Sequence, residues 1–220
     1  MSVPLVDQAA AILLDFDGPI CAIFAGYPAP EVAANLRDVI VTRGGVVSTR
    51  MAGTDDPLAV LRMAADETPD LIAELDDVLT DAEIRAAASA SPTPGAEAFL
   101  EQCARRRQPV VIVSNNSGRG VTAYLEAHGL SDWVTKVYGR PVRQPALMKP
   151  ATTVVREALD FVALPGTSTV LVGDSVSDVQ VAKALDIPSV GLANKARKRA
   201  TLSGATVVID SMTELLADTV

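Results

Sequence analysis

The 220-residue chain carries 27 acidic and 19 basic side chains, a formal charge of −8 with a pI near 4.7. That balance excludes a general nucleic-acid binder, whose footprint would be basic. Hydrophobic residues at 49% and charged residues at 21% supply one large core or two modest ones and argue against global disorder.

Aromatic residues at 4% leave too little for a base-stacking platform. No run approaches the roughly 18 apolar residues of a membrane span, and the start of the chain lacks a basic-then-apolar leader pattern. A cytoplasmic protein without membrane or nucleic-acid partners is expected, as a monomer or homodimer. Cys21 and Cys103 stand far apart without metal-type spacing, which points to two reduced, buried and inert thiols.

In chain order, Ala10–Leu14 is an apolar run ended by Asp15 and reads as a buried strand of a parallel sheet. Residues 19–94 break the rhythm. They offer helical patterns at Glu31–Thr42, Pro57–Asp66, Asp70–Leu79 and Asp81–Ala90, with Val39-Ile40-Val41 and Val46-Val47 as alternative strand pieces. This stretch reads as a small helical insert, and Ser91-Pro92-Thr93-Pro94-Gly95 as the hinge back. Beyond it, strands at Val110–Val113, Thr169–Val172, Ser189–Leu192 and Thr206–Ile209 alternate with helices at Ala96–Arg107, Gly118–His128, Ala151–Val162, Val176–Leu185 and Met212–Leu216. The expected fold is α/β, a Rossmann-like doubly wound parallel sheet built from 1–18 and 95–220, with the helical domain 19–94 inserted after the first strand.

The chemistry gathers where strands end. Asp15 and Asp17 follow the first strand two residues apart, about 7 Å along an extended chain and on one side of it, and Gly18 lets the backbone turn away without a side chain. Gly173-Asp174-Ser175-Val176-Ser177-Asp178 repeats the arrangement, with Asp178 one turn after Asp174. Carboxylates crowded at one sheet edge repel, and a hard divalent cation relieves them. Ser114-Asn115-Asn116-Ser117-Gly118 opens a helix after a strand, a ready anion site. Lys149-Pro150 places a lysine off a helix surface.

The order Asp15-Phe16-Asp17-Gly18, Ser114, Lys149-Pro150, then Gly173 to Asp178 resembles the haloacid dehalogenase-like hydrolase superfamily over roughly Ala10 to Leu192. The resemblance implies a phosphatase acting on a small phosphorylated metabolite. Asp15 would be the nucleophile that forms an aspartyl-phosphate, and Asp17 the general acid/base. Ser114 and Asn115 would bind phosphate, and Lys149 would neutralise both nucleophile and phosphate. Mg²⁺ would be held by Asp15, Asp17 through its carbonyl, and Asp174, with Asp178 acting directly, through water, or on Lys149. The insert would be the cap that selects substrate. A phosphomutase of the same family and a receiver-like phosphoacceptor domain are the alternatives.

Pro19 departs from the family pattern, which commonly has Thr or Val there, and stiffens the exit from the first motif. Arg43, Arg50 and Arg62 are candidates for a second anionic group on the substrate or, more ordinarily, solvated surface. His128 is expected to contact a helix C-terminus. Arg105-Arg106-Arg107 and Lys195 to Arg199 read as surface clusters.

Overall fold

The computed structural model describes residues 3–195 and 197–217. After a short N-terminal helix α1 (Pro4–Asp7) comes β1 (Ala11–Leu14), followed by a two-residue strand β2 (Cys21–Ala22). The insert then runs through α2 (Ala29–Thr42), α3 (Thr49–Ala52), α4 (Pro57–Glu67) and α5 (Ile72–Ala87), and β3 (Ser91–Pro92) returns the chain. The remainder is α6 (Ala96–Arg105), β4 (Val110–Val113), α7 (Gly118–Ala127), β5 (Lys136–Tyr138), α8 (Thr153–Val162), β6 (Thr169–Gly173), α9 (Val176–Ala184), β7 (Ser189–Leu192), α10 (Lys198–Thr201) and β8 (Val207–Ile209).

Six strands form one parallel sheet in the order β5-β4-β1-β6-β7-β8. β1 is central and wholly buried, so it reads as an unbroken apolar run with alternate residues feeding two cores. Ile12 and Leu14 pack with Phe99, Cys103 and Tyr124 from α6 and α7. Leu13 packs on the other face with Val155 and Ala158 of α8 and Val181 of α9. From β1 the chain winds outward through β4 and β5, then crosses to β6 on the far side. The strand order therefore reverses at β1, where open α/β sheets bind ligands.

The insert has its own apolar cluster, with Val32, Leu36 and Ile40 of α2 against Val60 and Leu61 of α4 and Leu75 and Leu79 of α5. Its neck is the antiparallel β2–β3 pair, with Cys21 opposite Pro92. Thr93 closes the neck by donating from Oγ1 to the Gly18 carbonyl at 2.5 Å.

Several expectations are corrected. Ser91–Pro92, read as part of a hinge, is a strand tied to Cys21–Ala22. Val39-Ile40-Val41 lies in α2, because Ile40 joins the helical stripe of Val32, Ala33 and Leu36 while Val41 stays exposed; Val46-Val47 is irregular. Asp70–Leu79 and Asp81–Ala90 merge into the single helix α5 after a 3₁₀ turn at Pro69–Leu71. Met212–Leu215 is 3₁₀ rather than α. The edge strand β5 and the helix α1 were not anticipated. Removing the Leu13 side chain, which is fully buried between β1 and α8, should cost about 2–5 kcal/mol in the Leu13→Ala variant, read from the urea midpoint at unchanged slope.

Candidate active site

The three adjacent strands β4, β1 and β6 deliver their following residues to one edge of the sheet. Leu14 is in register with Ile112 on one side and Val172 on the other, and the Asp15 amide still donates to the Val172 carbonyl at 2.8 Å. Asp15, Ser114 and Asp174 thus leave the sheet side by side. Gly18 adopts φ +107°, and any Cβ there would collide with the Asp174 carboxylate, so the turn after Asp17 requires glycine. Asp15, Asp17, Ser114, Asn115, Asp174 and Ser175 line a cleft of about 250 Å³, roofed from α4 by Arg62.

Lys149 is the hub. Its ammonium is buried and donates to the Val113 carbonyl at 2.7 Å and to Asp178 Oδ1 at 2.6 Å, and it lies 3.0 Å from Asp15 Oδ1. Burial alone would lower its pKa, but Asp15 and Asp178 outweigh burial and raise it, so the ammonium stays charged. Its backbone is clamped from both sides: Asn115 Oδ1 accepts from the Lys149 amide at 2.8 Å, and Asn115 Nδ2 donates to the Lys149 carbonyl at 3.1 Å. Arg62 donates to the same carbonyl at 2.6 Å.

Asp178 has two tasks. Oδ1 holds Lys149, and Oδ2 accepts from the Ser175 amide and hydroxyl at 3.1 and 2.6 Å, closing a reciprocal cap on α9. Both its oxygens therefore have protein partners, and Oδ1 makes the contact with Lys149.

Asp15 is buried and accepts from the Phe16 amide at 2.8 Å. Burial, with the charges of Asp178 and Asp174 adding, outweighs Lys149 and lifts its carboxyl well above the usual carboxylate range. Asp17 borders the open cleft and accepts from the Ile23 amide at 3.0 Å. The protein packed around it, together with Asp174, pushes its carboxyl up to about 6, against the Ile23 hydrogen bond and Lys198. Asp174 is raised by burial and by Asp178, in opposition to Lys198, whose ammonium pairs with Asp174 Oδ2.

Among the described residues, Asp15, Asp174 and Asp178 form an acidic group whose facing oxygens all lie within 4.8 Å of one another. An all-oxygen, anionic set fits a hard divalent cation, because such an ion offsets the mutual repulsion of carboxylates held this close.

Ser114 is buried; its Oγ accepts from the Asn116 amide at 3.1 Å. Ser117 caps α7 by accepting from the Gly120 amide. Of the flagged arginines, Arg62 reaches the cleft, whereas Arg43 pairs with Glu74 on the surface and Arg50 is exposed. His128 sits at the α7 C-cap and stacks on Tyr124 with ring centroids 4.1 Å apart. Burial pushes the Cys21 thiol up, and the Cys103 thiol up to about 12. Both are free and buried, as inert thiols should be.

Two residues around this site, Glu83 and Arg140, were not singled out from the sequence; both are buried and bond to the Ser114–Ser117 loop. Lys198 lay within a cluster read as surface but pairs with Asp174.

A family model for haloacid dehalogenase-like hydrolases matches residues 9–186. A phosphoglycolate phosphatase of Rhodospirillum rubrum is 27% identical over 215 residues, spanning 93% of this chain and 88% of that protein. A 2-hydroxy-3-keto-5-methylthiopentenyl-1-phosphate phosphatase of Microcystis aeruginosa is 27% identical over 188 residues, spanning 80% of this chain and 81% of its own. The fold resembles the crystal structure of CbbY from Rhodobacter sphaeroides in complex with phosphate, at TM-score 0.69 and 18% identity over 94% of this chain and 96% of that one. With its four motifs at one sheet edge and the family model spanning most of its length, the chain belongs to the haloacid dehalogenase-like hydrolases.

Proposed function

We propose that the chain is a magnesium-dependent phosphatase of small phosphorylated metabolites that works through an aspartyl-phosphate on Asp15. The observation that carries this reading is the 3.0 Å approach of the buried Lys149 ammonium to Oδ1 of the cleft-lining Asp15. Asp15, Asp174 and the Asp17 carbonyl would hold Mg²⁺, with Asp178 behind them on Lys149. The ion supplies charge neutralisation between the nucleophile and the phosphate.

A carboxylate oxygen of Asp15 attacks phosphorus, and the bond from phosphorus to the substrate's ester oxygen breaks. Asp17, with its carboxyl near 6, gives its proton to that departing oxygen. Water then attacks the same phosphorus, Asp17 takes up the water proton, and the bond to Asp15 breaks to release orthophosphate. The Ser114 hydroxyl, with Asn115 close by, receives the phosphoryl oxygens. Lys149 stays protonated and offsets the charge on Asp15 and on the transferring group. The insert, helices α2 to α5, acts as the cap over the cleft, so residues 19–94 form a domain distinct from the core.

Arg62 refines the substrate class. It is half-buried and lines the cleft from the insert side, where a guanidinium suits a second anionic group on the substrate. The phosphoglycolate phosphatase relative is consistent with such a substrate, since phosphoglycolate carries a carboxylate beside its phosphate.

Three outcomes are expected. Orthophosphate release from p-nitrophenyl phosphate with Mg²⁺ should vanish in the Asp15→Asn variant, and turnover retained by that variant would sink the mechanism. The Arg62→Ala variant should raise KM about tenfold or more for a carboxylate-bearing phosphomonoester and less than about threefold for p-nitrophenyl phosphate; equal shifts would remove Arg62 as the reader of a second anion.

The third concerns pH. Asp15, Asp17 and Asp174 hold protons more tightly folded than unfolded, so the cation-free protein is penalised as pH rises through the folded values, about 6 for Asp17, and is free of the penalty below the unfolded value of about 4. Mg²⁺ binds the charged forms. The rise in Tm on adding it should therefore be larger near about pH 7.5 than near about pH 5; a rise equal at both would contradict the proposed cation site.

A further inference from the structure

Helix α5 turns a polar stripe toward the core. Asp76, Thr80 and Glu83 recur at helical spacing and are all buried. Glu83 Oε1 accepts from Asn116 Nδ2 at 3.1 Å and from Arg140 Nη1 at 2.9 Å, while Oε2 accepts from the Ser117 amide at 2.9 Å. Arg140 is 4% exposed. Its Nε donates to Asp76 Oδ1 at 2.7 Å, Nη1 also to the Asn115 carbonyl at 3.1 Å, and Nη2 to Thr80 Oγ1 at 3.2 Å. Its backbone amide donates to the Asn116 carbonyl at 2.7 Å.

Each of the three residues after Ser114 is thus held by Glu83, Arg140 or both, and Ser114 Oγ is in turn fixed by the Asn116 amide. A buried ion pair is a poor source of net stability compared with apolar side chains of the same volume, and it imposes directions that apolar packing does not. Here Asp76 and Thr80 anchor Arg140 on α5, and the remaining bonds of the pair end on one loop. We propose that Glu83 and Arg140 are positioning residues, which set the pose of the Ser114–Ser117 loop from the insert side and through it the enzyme's grip on phosphoryl oxygens. The proposal rests on the phosphatase reading for its kinetic consequence and on geometry alone for its effect on phosphate binding.

The test uses the full chain with Mg²⁺, and orthophosphate as probe. Glu83→Gln keeps the volume but loses the charge and one acceptor site. Its KM for p-nitrophenyl phosphate and its inhibition constant for orthophosphate should rise together, about tenfold or more. A lowered Tm with both constants within about twofold of the parent would make the pair merely structural and overturn the proposal. Arg140→Lys keeps the positive charge but loses the forked contacts to Asn115 and Glu83, and carries the same test should Glu83→Gln not fold. In that variant a several-fold weaker orthophosphate affinity supports the proposal, and an unchanged one overturns it. Orthophosphate binding measured by calorimetry requires no turnover, so an inactive parent protein would refute the phosphatase reading while the calorimetric comparison still decides the role of the pair.

Discussion

One buried ammonium organises this molecule's chemistry. Taking a lysine out of water is tolerable only where its charge and all its donors find partners, and Lys149 finds the Val113 carbonyl, Asp178 and Asp15. Each partner lies at the end or just past the end of a different element: β4, the first turn of α9, and β1. The converse also holds. Without Lys149, Asp15 and Asp178 would face each other as buried like charges, and the sheet edge on which they converge would repel itself. Asp15, Asp17, Asp174 and Asp178 face the two ammoniums of Lys149 and Lys198, so the carboxylates outnumber the cations. That residual negative charge is what a divalent ion would complement.

The parts of the site that were legible in the sequence are those that follow strands. A short apolar run stopped by Asp, Ser or Gly-Asp marks both the strand and its functional end, so Asp15, Ser114 and Asp174 could be placed without coordinates. Lys149 was legible only through its place in the motif order, since nothing in Met148-Lys149-Pro150 announces burial. The strand β5 was illegible because it is short and none of its residues is fully buried: Lys136-Val137-Tyr138 shows no apolar run, and an edge strand with one neighbour needs none. Thr80 falls between the two helical patterns Asp70–Leu79 and Asp81–Ala90, but its hydroxyl receives Arg140 and the helix runs through.

The same helix explains why Glu83 and Arg140 escaped notice. Acidic side chains on a helix are normally solvated, and α5 carries many. The discriminating signal was present as the 76, 80, 83 spacing, which forms one stripe of a helix beside the apolar stripe of Leu75, Leu79 and Ala82. A helix with one face apolar and the other polar ordinarily shows the polar face to water. Here the core supplies Arg140 and the Asn116 amide in place of water, and only tertiary structure reveals the exchange.

That two-sidedness also decides how the insert is attached. Toward α2 and α4, α5 offers apolar contacts, which are non-directional and tolerate small shifts. Toward the core it offers directed bonds between buried charges, and Gly120 of α7 comes so close that an added Cβ would lie 2.8 Å from the Cβ of Glu83. Separating α5 from the core would leave a buried guanidinium and carboxylate unpaired, at about 3–5 kcal/mol for a pair of this kind, and α4 adds a further directed bond to the core through Arg62 and the Lys149 carbonyl. α5 is therefore the helix that carries the insert's apolar cluster on one side and its directed bonds to the sheet domain on another.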